Sequence, residues 1–174
     1  AFALWDKKKN ALFLVRDRYG IKPLYYAIFG DIVIFGSEQK AILSHPKVVK
    51  TLDLKAFVEY FTFQNIFTDR TLFKNIKLLK NGSILEIKND KNTPIEIKTY
   101  WDYHFDEPRK PKDKIEYLEE LDRLIIQAVN RQLITDVELG SYLSGGMDSG
   151  TITSLVSQEL PYIKTFTCGF DLSS

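Results

Sequence analysis

Val137-Glu138-Leu139-Gly140-Ser141-Tyr142-Leu143-Ser144-Gly145-Gly146-Met147-Asp148-Ser149 decides how this chain is read. Residues 137–143 read as a short strand that runs straight into Ser144, Gly145 and Gly146. Residues 149–160 then read as a helix, and residues 163–170 as a second apolar strand. Strand, tight glycine loop, helix and strand make a βαβ unit, so a parallel sheet is expected.

The loop sits where chemistry can be done. The first backbone N–H groups of a helix have no internal partner and lie at the positive end of its dipole. Two adjacent glycines remove Cβ atoms, so an anion can approach the main chain. The hydroxyls of Ser144 and Ser149 can add donors to phosphate oxygens. Asp148 adds what a bare anion nest lacks. A carboxylate beside a phosphate repels it unless a cation lies between them, so Asp148 implies Mg²⁺. The loop lacks the Gly-x-x-x-x-Gly-Lys-Ser/Thr pattern and is not Gly-x-Gly-x-x-Gly. A bland alternative is a helix start whose glycines only turn the chain. The βαβ setting and the carboxylate inside the nest weigh against it.

Working back from the loop, Ile115, Leu118, Leu121, Leu124, Ile125, Ala128, Val129 and Leu133 follow helical spacing over about five turns. Before them, residues 106–113 carry two prolines and little that could fill a core, and are read as a linker. The part N-terminal to the linker is built differently. Residues 2–5 and 11–16 flank a polar turn as a hairpin, and residues 24–29 and 32–35 flank Gly30-Asp31 as another. A short helix over residues 37–43 stops before Pro46, and a second helix over residues 54–61 takes Asp53 as its N-cap. Residues 83–87 alternate as a strand after the turn Asn81-Gly82. Residues 88–92 turn the chain again and lead to an extended segment over 94–98.

Composition excludes several classes. Hydrophobic residues make up 44% and charged residues 27%, which is globular. A net charge of +1 provides no field to gather nucleic acid or anionic lipid. No apolar run approaches the roughly 20 residues of a membrane helix. The single cysteine, Cys168, excludes an internal disulfide and a Cys-based zinc site. A cytoplasmic setting is the default expectation. The opening Ala1-Phe2-Ala3-Leu4-Trp5 reads as a strand already under way, and the end is abrupt, so the chain is expected to be an internal piece of a longer protein. His45 and His104 have no partner at metal-ligand spacing. The aromatic residues Phe57, Tyr60, Phe61, Phe63 and Phe67 lack interleaved Arg and Lys and are read as core or domain interface. Arg16 and Asp17 are read as a structural pair shaping the turn before Gly20, with ligand contact the less favoured alternative.

Ser-Gly-Gly-Met-Asp-Ser after an apolar strand resembles the pyrophosphate loop of the PP-loop ATP pyrophosphatases, a group that includes GMP, NAD, argininosuccinate and asparagine synthetases. The flanks choose among them. Residues 131–143 resemble the run that leads into this loop in the asparagine synthetases, notably Asp136-Val137 and the nearby Gly140. Residues 16–26, Arg-Asp-Arg-Tyr-Gly-Ile-Lys-Pro-Leu-Tyr-Tyr, resemble a signature of class II glutamine amidotransferase domains, and Ser37-Glu38-Gln39-Lys40-Ala41 resembles the segment that follows it. The resemblance covers essentially the whole chain.

The resemblance implies an α+β region followed by an α/β one. Residues 1–105 would be the back part of an Ntn-type αββα glutaminase sandwich. Residues 106–113 would be the linker, and residues 114–174 the first βαβ of a doubly wound PP-loop ATP-binding domain. It implies a ligase that makes asparagine from aspartate through β-aspartyl-AMP, with glutamine as nitrogen source and with ATP and Mg²⁺ as cofactors. Related amidotransferases acting on a sugar acid or another carboxylate, or a binding protein retaining the fold, stand as alternatives. Ser144, Gly145, Gly146 and Ser149 would hold the phosphates that leave as pyrophosphate, and Asp148 would coordinate Mg²⁺. Leu143 and Cys168 fall where the family places adenine and ribose contacts. Partners would be the small molecules ATP, aspartate and glutamine, with no nucleic acid and no membrane, and a homodimer is admitted. The chain departs from the pattern at Gly150, where the family often has Ser, and at Met147, where it has Leu. The family's glutaminase nucleophile is an N-terminal Cys. No Cys precedes Cys168, so no glutaminase catalytic residue is assigned and the 174-residue piece is expected to be inactive alone.

Overall fold

The structure, a computed structural model, describes residues 1–90, 94–108 and 110–169. The chain divides into two compact units, Ala1–Phe105 and Asp106–Ser174. Both mix helices with strands.

Unit 1 carries two antiparallel sheets. The first has the order β1-β2-β6-β7, built from β1 (Phe2–Asp6), β2 (Ala11–Val15), β6 (Ser83–Lys88) and β7 (Glu96–Thr99). The second has the order β4-β3-β5, from β3 (Tyr25–Phe29), β4 (Ile32–Gly36) and β5 (Ile76–Leu78). Register follows from the turns. Phe29 pairs with Ile32 across Gly30-Asp31, and Gly30 adopts a φ of 56°, as a two-residue hairpin turn requires.

Strand alternation sorts the core into layers. Tyr26 faces Leu14, Leu24, Leu79 and Leu85, which are all buried between the two sheets. Its neighbour Ala27 faces the other way and joins Ile42, Val48 and Ile76. Ile42 lies on α1 (Gln39–Leu43), which packs on β3 and β4. The order is therefore sheet, sheet, helix. Each fully buried Leu or Ile contributes about 1.5–3 kcal/mol. The outer face of the first sheet is apolar along β1 and β2 and charged along β6 and β7, where Lys98 pairs with Glu86 and Glu96. Phe2 pairs with Val15 and Leu4 with Phe13 on that face, and both β1 side chains are more than half exposed.

α2 (Leu54–Phe63) starts at Asp53, whose carboxylate accepts from the amides of Lys55 and Ala56. It runs two residues past the expected end. It stops where Gln64 turns left-handed at φ 53° while still donating its N–H to Tyr60 O. Leu54, Val58, Phe61, Phe63 and Phe67 are exposed, so in this unit these residues form no core.

Unit 2 holds α3 (Lys114–Gln132), β8 (Gly140–Tyr142), α4 (Met147–Glu159) and β9 (Lys164–Phe166). β8 and β9 pair parallel, Gly140 with Lys164 through Tyr142 with Phe166. Both strands are shorter than the apolar runs suggest. Thr135 Oγ1 accepts from Val137 N–H and donates to Val137 O, which folds residues 135–137 into a turn and delays β8 to Gly140. The apolar run expected over residues 163–170 pairs only from Lys164 to Phe166. Phe170 lies outside the described residues, as do residues 91 and 92 of an expected turn and Arg109 of the expected linker. α4 begins at Met147, two residues earlier than expected. Gly146, extended at φ −77° and ψ 156°, serves as N-cap, and Gly150 N–H already reaches Gly146 O at 3.0 Å. α3 packs on α4, each helix burying one valine, Val129 and Val156, and Asn130 Nδ2 donates to Glu159 Oε1. No helix among the described residues is long and apolar enough to cross a membrane.

Candidate functional site

The segment from Leu143 to Gly150 joins the end of β8 to the start of α4. Two bonds fix its entry. Leu143 N–H donates to Phe166 O at 2.9 Å, and Thr167 Oγ1 donates to Leu143 O at 2.6 Å. Because β8 and β9 are parallel, Leu143 and Thr167 leave the sheet at the same edge, the carboxyl ends of the strands. That edge is where ligands bind in open α/β sheets. Thr167 was not picked out from the sequence, although its polar side chain one residue past an apolar strand was a readable signal. Two further contacts tighten the unit. Ser141 and Thr153 share a hydroxyl hydrogen bond at 2.8 Å. Gly140 leaves room for the Phe166 ring, which a Cβ there would meet at 2.7 Å.

The loop then turns on Gly145, at φ 81°, a conformation side chains disfavour. Ser144 and Ser149 close it. Ser149 Oγ accepts from Ser144 N–H at 3.2 Å, lies 3.0 Å from Ser144 Oγ and donates to Gly146 O at 3.1 Å. One proton per hydroxyl settles the directions. Ser149 spends its proton on Gly146 O, so Ser144 donates to Ser149. Both hydroxyl protons, expected from sequence to point at phosphate, are used inside the loop.

The amides are placed differently. α4 has no side-chain cap. Among the described residues, the N–H groups of Gly145, Met147, Asp148 and Ser149 donate to no protein acceptor. Ser144 through Asp148 are exposed. Nothing within 4 Å would meet a Cβ on Gly145. These donors therefore face open space at the positive end of a 13-residue helix.

Asp148 lies in the first turn of α4. Among the described residues no group of three or more His, Cys, Asp or Glu could hold a metal unaided. Mg²⁺ is commonly held by one or two carboxylates together with substrate phosphates. A lone exposed carboxylate beside free amides fits that donor set. Leu143 is half-buried and Cys168 is exposed just past β9.

Arg16 and Asp17 form a structural node. Arg16 donates from Nε, Nη1 and Nη2 to the carbonyls of Lys22, Leu79 and Gly20, at 3.2, 2.7 and 2.8 Å. Asp17 accepts from the amides of Ile21 and Lys22, and these bonds hold its carboxyl below the usual range. A Cβ on Gly20, at φ 66°, would meet the Arg16 guanidinium at 2.9 Å. The pair tethers the turn to the segment that enters β6.

Comparison with known proteins follows the same division. Residues 1–101 match the family described as Glutamine amidotransferase domain, and residues 120–174 match Asparagine synthase. Asparagine synthetase [glutamine-hydrolyzing] 1 of Bacillus subtilis (strain 168) is 36% identical over 98% of this chain and 26% of its own length. Asparagine synthetase [glutamine-hydrolyzing] 3 of the same organism is 38% identical over 90% of this chain and 25% of its own length. Asparagine synthetase [glutamine-hydrolyzing] 2, also from that organism, is 36% identical over 96% of this chain and 23% of its own length. The chain thus spans about a quarter of the length of these curated relatives.

Proposed function

Since the chain belongs to the glutamine amidotransferase domain family over residues 1–101 and continues into a match to asparagine synthase, we propose that it takes part in ATP-dependent, glutamine-hydrolysing asparagine synthesis. The observation that carries this reading is the set of free amides of Gly145, Met147, Asp148 and Ser149, opening at the carboxyl ends of β8 and β9.

In the proposed reaction the β-carboxylate of aspartate attacks the α-phosphorus of ATP. The bond to the β-phosphate breaks, pyrophosphate leaves and β-aspartyl-AMP forms. Ammonia, released from glutamine by water, attacks the acyl carbon and expels AMP, giving asparagine. The loop's part is electrostatic. Negative charge grows on the departing pyrophosphate, and donors already fixed in place stabilise it without reorganising. Met147, Asp148 and Ser149 supply helix N-terminal amides, and Gly145 supplies one from the turn. Ser144 can exchange its hydroxyl bond to Ser149, and Ser149 its bond to Gly146 O, for phosphate oxygens. Mg²⁺, when bound, would offset charge between the phosphates and Asp148. Leu143 and Cys168 would line the nucleoside end, with Cys168 acting as an apolar wall.

Unit 1 is read as the back part of an αββα glutaminase sandwich. Its sheet-sheet-helix order supports this, and the apolar β1–β2 part of the outer face, bearing Phe2 and Leu4, is where a second helical layer would pack. Unit 2 is read as the first βαβ of a PP-loop ATP-binding domain. Aspartate, glutamine and ATP are the proposed substrates, and the cytoplasm, where all three are abundant, is the proposed compartment.

The test is aspartate-dependent pyrophosphate release by the protein that carries this chain. Asp148→Ala should abolish release and leave glutamine hydrolysis measurable. Unchanged release would remove Asp148 from the metal role, and release driven by some other acid would remove the asparagine assignment.

A further inference from the structure

We propose that a cleft in unit 1, between the start of α2 and the edge of β5, binds a small organic phosphate carried as a dianion. The cleft encloses about 480 Å³, within the roughly 300–1,000 Å³ of small-molecule sites. Its charged walls are Lys55, Arg70, Lys74 and Lys77 against Asp53 and Asp69.

The walls are held firmly. Asp53 N–H donates to Leu72 O and Lys74 N–H to Thr51 O, while Leu78 N–H donates to Asp69 O. The buried Thr71 hydroxyl ties Phe73 and Ile76 together beneath them. The charges are unevenly spent. Lys77 is matched by Asp69 at 2.7 Å. Asp53 already accepts two amides and takes only Nη1 of Arg70, at 3.3 Å. Burial raises the Asp53 pKa, but the amides of Ala56 and Lys55 and the nearby Arg70 outweigh it and hold the carboxyl below its usual range.

Among the described residues, Nε and Nη2 of Arg70 and the ammonium groups of Lys55 and Lys74 have no partner. Four cations face two carboxylates, so the cleft carries a surplus of two positive charges, the charge of a phosphate monoester dianion. The free edge of a guanidinium takes two phosphate oxygens at once. Leu54, Phe73 and Ile76 also line the cleft and give the carbon part of the ligand an apolar surface. The site does not depend on the nucleotide reading, which concerns unit 2.

The test is a residue-resolved NMR titration of the labelled 174-residue chain with glycerol phosphate, at an ionic strength matched with sodium chloride. Saturable shifts are expected at the amides of residues 54–55 and 70–77. Lys55→Ala/Lys74→Ala removes two exposed, unpartnered side chains, so its melting temperature should match the parent while binding weakens roughly tenfold or more. Three results would each overturn the proposal: no saturation at these amides, the same shifts with chloride alone, or unchanged binding by the double variant. Shifts confined to Gly145 through Ser149 would overturn the cleft and leave the unit 2 loop standing.

Discussion

The two units treat their apolar residues in opposite ways. In unit 1, Leu14, Ile42 and Leu85 are 0% exposed, and two sheets and a helix close over them. In unit 2 the spaced leucines of α3 point at solvent, with Leu121 at 53%, and Tyr142 on β8 is 84% exposed. Val129 and Val156 are its only buried apolar residues among those described. Periodicity identifies which face of an element is apolar, but it does not say what covers that face. Unit 1 contains its own cover for the inner layers, though not for β1's outer face or for α2. Two helices on a two-stranded parallel pair have no such cover, because a parallel sheet needs both faces packed.

The sharpest way to break this comparison is core truncation. Leu14→Ala in unit 1 should cost about 2–5 kcal/mol, since it empties a closed site. Leu121→Ala in unit 2 should stay within about 0.5 kcal/mol, as at an exposed position. Denaturant melts of both variants provide the check, and equal costs would mean that the α3 stripe is covered after all.

Glycine replacements sharpen it further. Gly82 sits at φ 60°, and a Cβ there would lie 2.4 Å from the Trp101 carbonyl oxygen. Gly145 sits at φ 81° with nothing in its way. Gly145→Ala should cost roughly 1–2 kcal/mol from backbone conformation alone. Gly82→Ala should exceed it by about 1–3 kcal/mol, because a packed backbone must shift. Paired thermal melts decide the order.

The smallest effect expected is on acid stability. Hydrogen bonds from Ile21 and Lys22 lower the Asp17 pKa. At Asp53 burial opposes the amides of Ala56 and Lys55, and the net direction is again down. A carboxylate with a folded-state pKa below its unfolded value adds stability above the unfolded value, near pH 4, and loses it as pH falls through the folded one. Unit 1 should therefore weaken below about pH 4. Asp17→Asn should flatten that slope in melts followed against pH, and an unchanged slope would place the acid sensitivity elsewhere.

What was legible in the sequence divides along the same line. Local chemistry reads well. Gly30-Asp31 set the β3–β4 hairpin, Asn81-Gly82 preceded β6, and Asp53 capped α2. Each depends on neighbours within a few residues. Boundaries set by side-chain competition read poorly. The Thr135 hydroxyl shortened β8, and a left-handed Gln64 ended α2 later than the apolar pattern implied. At the candidate site the order strand, loop, helix was visible, and so was the exposed nest of amides. The mutual capture of Ser144 and Ser149 was not, because it follows from the loop closing on itself across five residues. The Thr167 clamp on Leu143 joins positions 24 apart and exists only once the strands pair.

The central claim is that the backbone from Gly145 to Ser149 holds a departing pyrophosphate. Titrating labelled chain with pyrophosphate, with and without Mg²⁺, tests it most directly. Saturable amide shifts at Gly145, Met147, Asp148 and Ser149 are expected, tighter with Mg²⁺, and with the Mg²⁺ dependence gone in Asp148→Ala. Pyrophosphate binding that leaves those four amides undisturbed would contradict the account.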